Sequence, residues 1–157
     1  MTEKPMKRVQ DSLTEQVQIV QQTHMNGYHR LFGGQLIAWM DVVAGVVGRR
    51  HTGMTVTTAA IDNLQFLAPA YVDDMIVITG RVTYVGRTSM EVRLDAEIEE
   101  RDGARTPLNR AYFVMVALDE LERPTEAPGL ILETEEERRE WDAAVARHQN
   151  RKGRRAE

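Results

Sequence analysis

The sequence predicts an α+β domain: one buried helix against an antiparallel sheet, with a second helix on the surface near the C-terminus. Three observations carry that expectation. Only one long apolar segment has helical spacing, and it follows the first strand-like segment. Further strand-like runs then succeed one another across short turns. A charged, helix-forming stretch closes the 157-residue chain.

Residues 1–9 are polar and are expected to be flexible. From Leu13 to Gln21, the row Leu13, Glu15, Val17 and Ile19 alternates with Thr14, Gln16, Gln18 and Val20. That alternation predicts a first strand with one mostly apolar face. The next ten residues break all periodicity and contain the turn signal Asn26-Gly27. Gly33-Gly34 then opens a segment in which Leu36, Ile37, Met40, Val43, Ala44 and Val47 share one helical stripe. Its valines and glycines lower helix propensity, so it reads as a core helix held by packing on nearly all sides. Arg49, Arg50 and His51 complement the negative end of its dipole.

Met54 to Leu64 is rich in β-branched residues, and Met75 to Val85 reads as a strand with Ile76, Ile78, Gly80, Val82 and Tyr84 on one face. Ser89 to Glu100 follows across Gly86-Arg87-Thr88, with Met90, Val92, Leu94, Ala96 and Ile98 on a dry face. Glu91, Arg93, Asp95 and Glu97 form its wet face. Asn109 to Asp119 is the last strand, after a turn at Asp102-Gly103. One helix wrapped by such a meander is the hotdog fold, expected over residues 10–122. Pro124 and Pro128 delimit a linker over 123–132. Residues 133–157 are expected to form a charged surface helix, Glu133 to Gln149, and a solvated basic tail containing Arg151, Lys152, Arg154 and Arg155.

Composition narrows the chemistry. The chain has no cysteine, which removes disulfides, thiolate zinc sites and cysteine nucleophiles. Its two serines, Ser12 and Ser89, both lie outside a G-x-S-x-G setting. A formal net charge of -4 argues against general nucleic-acid binding. The four histidines lack metal-ligand spacing, so no metal and no cofactor is expected. Leu31 to Gly48 contains Asp41, four glycines and a glutamine, and so reads as a core helix rather than a membrane span. A cytoplasmic protein with no membrane or nucleic-acid partner is expected.

Asp41 is the anomaly. A carboxylate on an apolar helix must reach solvent, a polar site or an interface, because burial without partners costs several kcal/mol. Either helix geometry turns it to water or it serves as a general base or nucleophile. Gly33-Gly34 has two readings as well: a tight turn, or a helix N-terminus whose free N–H groups hold an oxyanion. Asn26 either makes its local turn or orients water or a carbonyl oxygen. In the hairpin, Gly86, Arg87, Thr88 and Ser89 make an ordinary turn or a phosphate-pairing one.

The run from His24 to Gly45, His-Met-Asn-Gly-Tyr-His-Arg-Leu-Phe-Gly-Gly-Gln-Leu-Ile-Ala-Trp-Met-Asp-Val-Val-Ala-Gly, resembles the signature of hotdog-fold acyl-CoA thioesterases. It is similar to that of the bacterial broad-specificity enzymes and the cytosolic long-chain acyl-CoA hydrolases. The likeness continues through Thr57–Phe66, Val85–Met90 and Ala111–Asp119. It implies hydrolysis of a fatty acyl-CoA to free acid and coenzyme A, with Asp41 as general base or nucleophile. It further implies an assisting Asn26 contributed by the partner protomer and a carbonyl polarised by the Gly34 N–H. Coenzyme A would lie across Gly86, Arg87, Thr88 and Ser89. The resemblance also implies a homodimer, assembled as a hexamer of three dimers. The rival expectation is a non-catalytic acyl-CoA-binding hotdog module.

Overall fold

The chain runs β1 (Met6–Arg8), α1 (Val9–Ser12), β2 (Thr14–Ile19), a 3-10 turn (Gln22–His24), α2 (Gly33–Thr52), β3 (Thr55–Phe66), β4 (Met75–Val85), β5 (Ser89–Glu99), β6 (Arg105–Leu118), β7 (Gly129–Ile131) and α3 (Glu135–Ala156). This computed structural model describes residues 3–156; Met1, Thr2 and Glu157 lie outside the described residues. Five antiparallel strands in the order β2-β4-β5-β6-β3 form one sheet that curls around α2, the hotdog arrangement.

Leu36, Met40, Val43, Ala44 and Val47 bury one side of α2 against Ile76, Ile78, Val92, Leu94 and Phe113. The approach is close at Gly80, where a Cβ would stand 3.0 Å from Val43, Val47 and Leu94. Gly53 ends the helix in the left-handed region at φ 68°, its N–H donating to the Arg49 carbonyl. The expectation of packing on nearly all sides is corrected in one respect. Gly34, Ala38, Asp41, Val42 and Arg49 form an exposed stripe, because a single sheet covers the helix from one side only.

The alternation expected of β2 is present, and its apolar row faces away from α2. Its register pairs Gln16 with Ile78 and Gln18 with Ile76, so the polar row points to the α2 side. Val17 pairs with Val77 and Ile19 with Met75, so the apolar row faces outward. Thr14 of the inner row has polar partners: its Oγ1 donates to the Ser12 carbonyl and accepts from Arg50 Nη1 at 3.0 Å, while Gln16 Oε1 is buried without a hydrogen-bond partner among the described residues.

The N-terminal segment and the linker pair with each other. β1 and β7 form a parallel two-stranded sheet, Met6 opposite Gly129 and Arg8 opposite Ile131. Lys7 Nζ donates to the Arg50 carbonyl, and buried His51 donates from Nε2 to the Pro128 carbonyl at 2.8 Å. The N-terminal segment and the linker before α3 are thereby fixed to the C-terminus of α2.

The wet face of β5 is covered rather than solvated. α3 lies across it, and Glu91, only 1% exposed, accepts from Thr83 Oγ1 and from both Arg147 Nε and Nη2. Arg147 also stacks 3.7 Å above the Tyr112 ring. Glu140 pairs with Arg81 and Arg93. A bulge after Val82 turns Tyr84 outward, against Trp141 and His148 of α3. The helix continues past the expected end at Gln149, and Arg151 pairs with Asp62 at 2.7 Å instead of standing in a solvated tail.

Removing Arg147 leaves a buried carboxylate short of charge, so Arg147→Ala is expected to cost about 3 kcal/mol of stability, read from urea unfolding. Burial holds the His51 imidazole below its ordinary value, against the opposing pull of the Pro128 hydrogen bond. The unfolded chain therefore takes up a proton that the folded chain refuses. Stability is complete above about pH 6.5 and falls as the pH drops below it. His51→Gln, which retains a donor for Pro128, should flatten that fall in melting temperature between about pH 7 and about pH 5.

Candidate active site

The N-terminus of α2 is presented by a tightly bonded loop. Phe32 N–H donates to the His24 carbonyl, and the Gln35 and Leu36 N–H groups turn back to the Phe32 carbonyl. Those bonds leave the Gly33 and Gly34 N–H groups without an acceptor among the described residues, as at an uncapped helix start. A Cβ on Gly34 would stand 2.6 Å from the Phe32 ring, so the glycine is required for the ring to fold over the turn. Neither glycine lies in the left-handed region and both are the first residues of α2, so the tight-turn reading is corrected and the free donors remain.

Asn26 makes its local turn. Its Oδ1 accepts from the Tyr28 and Arg30 N–H groups at 2.9 and 3.2 Å, and its own N–H donates to the Arg30 carbonyl. The side-chain oxygen is used by the turn, which leaves the Nδ2 hydrogens for an external acceptor. His29 lies at φ 60° within this turn. Asn26 and Gly33 border a cavity of about 400 Å³ walled by Leu31, Leu36, Phe66, Leu67 and Leu108. The wall suits an alkyl chain, and Arg30 at its rim is its one charged lining residue.

Asp41 lies two turns further along α2, on the exposed stripe. Its Oδ1 accepts a 2.6 Å hydrogen bond from Thr58 Oγ1 of β3. That bond fixes one carboxylate oxygen and leaves Oδ2 free among the described residues. Thr58 was not legible as a site residue; no spacing rule links a strand threonine to a helix carboxylate, and only its place beside Thr57 in a β-branched run marked it.

At the hairpin, the Gly86 N–H donates to the Ser89 carbonyl, and the Arg87 and Thr88 carbonyls accept from Ala127 and Ala117. Arg87 is exposed and has no ion pair among the described residues. Across the sheet, Ser89 pairs with Val116 and Val116 with Thr57, which sets the hairpin level with the Thr58–Asp41 bond. The cavity lies at the other end of β3, where Phe66 pairs with Asn109. One chain thus carries two half-sites: Asp41, Thr58 and the hairpin in one, Asn26, Gly34 and the cavity in the other. The structure does not bring Asp41 and Asn26 into one cavity. Histidine takes little part: His24 accepts from the Gln21 N–H and packs edge-on against Trp39, and His29 is exposed. Among the described residues no three His, Asp or Glu side chains cluster as metal ligands, and no helix is long and apolar enough to cross a membrane.

A curled antiparallel sheet on one helix, with free glycine N–H groups at its start and a carboxylate on its open stripe, is the frame of a hotdog thioesterase. Residues 28–104 match the thioesterase superfamily. An uncharacterized acyl-CoA thioester hydrolase of Bacillus subtilis is 35% identical over 130 residues, covering 82% of this chain and 76% of that protein. A hexameric acyl-CoA thioesterase superposes with a TM-score of 0.92 at 36% identity, over 97% of this chain and 98% of that one. The acyl-CoA hydrolase of Staphylococcus aureus, in complex with butyryl coenzyme A and coenzyme A, superposes with a TM-score of 0.91 at 32% identity over 97% and 93%. That enzyme is also known as mutants in which one asparagine, one aspartate or one threonine is replaced by alanine. The chain belongs to the thioesterase superfamily.

Proposed function

We propose that this chain is an acyl-CoA thioester hydrolase that cleaves fatty acyl-CoA to free acid and coenzyme A, at sites shared between two protomers. The observation that carries the reading is the Thr58–Asp41 hydrogen bond on a helix stripe left uncovered by its own sheet. The three residues substituted in the S. aureus enzyme support it. Fifteen residues separate its asparagine from its aspartate and seventeen separate the aspartate from its threonine, the spacing of Asn26, Asp41 and Thr58 here.

Sharing follows from helix geometry. Gly34 and Asp41 are seven residues apart on one straight helix, or about 10 Å. An oxyanion donor and a base must instead converge on one carbonyl group within hydrogen-bond reach. A partner packed in the opposite direction on the α2 stripe brings its Asp41 toward the Gly34 of the first chain. β3 is a sheet edge with free backbone groups beside that stripe, so edge pairing with a second β3 closes a two-fold dimer.

The Gly34 N–H and Asn26 Nδ2–H donate to the thioester carbonyl oxygen and stabilise the negative charge that develops there. The partner's Asp41 takes a proton from water as the hydroxyl adds to the carbonyl carbon. The C–S bond then breaks, and the proton passes to the departing thiolate, giving acid and free coenzyme A. Thr58 orients the carboxylate without touching the substrate. The cavity takes the acyl chain, while Arg87, Thr88 and Ser89 offer a guanidinium and two hydroxyls to the nucleotide phosphates. Likeness to the hexameric relative supports three such dimers per particle, and likeness to a cytosolic acyl coenzyme A thioester hydrolase of Rattus norvegicus, 31% identical over 78% of this chain and 33% of that protein, supports a cytoplasmic place of action.

Thiol release from acyl-CoAs of graded length tests the reading. Asp41→Ala should lower kcat about 10²-fold or more, as removal of a general base does. Unchanged turnover overturns the role of Asp41, and tight acyl-CoA binding without turnover in the native chain favours a non-catalytic binding module. Co-expressed Asn26→Ala and Asp41→Ala chains should recover about a quarter of the native sites, since half the random dimers hold one intact site; no recovery removes the sharing. Thr58→Val should lower kcat by about tenfold at constant KM, the loss of one hydrogen bond to a charged group.

A further inference from the structure

We propose that the outward apolar row of β2, Val17 and Ile19, continued by Met75 of β4, is the surface on which one dimer of this chain meets another. The inference rests on the hexameric assembly proposed above and assigns the contact that assembly needs. Val17 is 49% exposed and Ile19 53%. Their register with Val77 and Met75 places them on the outer face of the sheet. α3 covers that face around Arg81, Glu91 and Arg93, toward the opposite end of β4, whereas at this corner Val17 and Ile19 stay half exposed beside a buried Val77.

An edge strand that turns valine and isoleucine to water and glutamines toward the core inverts the usual solution for a one-sided sheet. Contiguous exposed apolar side chains of this kind mark an interaction surface. A second copy is the fitting occupant for two reasons. Two-fold pairing through β3 closes at two chains, so six chains require another, separate surface. β2 and β3 are opposite edges of the sheet, so the row stays free once the dimer has formed. The charge pattern agrees. Glu15 shares this face without an ion pair among the described residues, beside Glu97 and Glu99, with which Arg105 pairs at 3.8 and 3.2 Å, while Arg139 and Lys152 are exposed on α3 and have no ion pair among the described residues. A neighbouring dimer that sets its α3 beside the row supplies a cation to Glu15.

The mass of the full chain, measured by light scattering and sedimentation, tests the assignment. The native protein should weigh six chains. Val17→Lys with Ile19→Lys should give two-chain particles with an unchanged melting temperature. Val42→Lys on the α2 stripe should give three-chain particles, because it breaks the other contact. A double variant of native mass, or one that falls to trimers or monomers, overturns the proposal, as does a native protein of only two chains. If the lysine variant does not fold, Val17→Thr with Ile19→Thr should still shift the mass toward dimers on dilution, and an unshifted mass overturns the proposal. Native thiol release, assayed in parallel, separates the two readings: hexamers without turnover keep this surface and remove the hydrolase, and active native dimers do the reverse.

Discussion

A five-stranded sheet cannot encircle a twenty-residue helix, and the rest of the molecule depends on that limit. The core forms where α2 turns Leu36, Met40, Val43, Ala44 and Val47 to the sheet. On the far side the helix keeps a stripe that includes Val42, 57% exposed, with Asp41 beside it. Such a stripe is costly in an isolated chain and useful in a paired one. It carries the free N–H groups of a helix start at one end and a carboxylate two turns away, both directed out of the domain.

The outer face solves a different problem by different means. Its strands carry alternating charges, and α3 has few apolar residues with which to cover them. Glu91, Arg147, Arg151 and Asp62 therefore pair across β5, β6 and β3, and Glu140 joins Arg81 to Arg93. Buried ion pairs of this sort add less net stability than an apolar core of equal size, because both charges lose their hydration. What they supply is register. An α3 shifted by one residue would leave Glu91 buried without its cations, so the helix has one seat. That seat ties β3, the strand that carries Thr58, to β5 in the centre of the sheet.

The legible and illegible parts of the sequence divide along a physical line. Spacing marked α2, the bounds of β4, the hairpin after Val85 and the inner face of β5, because each follows from a period within one element. Asp41 was legible for the same reason: a charge inside an apolar helical stripe violates the pattern. Alternation in β2 gave the strand but not its orientation, since period two does not say which row faces the helix. Arg50 and the Ser12 carbonyl, distant or local polar partners of Thr14, decide that. The β1–β7 pair, the α3 ion pairs and the Thr58–Asp41 bond all join residues far apart in the chain. No local period encodes such contacts. The bulge at Val82–Tyr84 belongs with them, because one extra residue reverses the face of every side chain after it until the register is restored.

The Thr58–Asp41 bond joins the folding problem to the chemical one. Asp41 is exposed in the single chain, where water competes for both carboxylate oxygens and lets the group rotate. Thr58 removes half of that freedom by holding Oδ1 at 2.6 Å from a rigid strand. In the proposed dimer a partner on the α2 stripe would remove the rest, since it would exclude water from the stripe and strengthen every electrostatic interaction within the closed site. On this account, orientation of the carboxylate is built into each chain and exclusion of solvent comes only with pairing. On the proposed mechanism a chain that folds alone carries an oriented carboxylate without the environment it needs, and assembly is part of the catalytic apparatus.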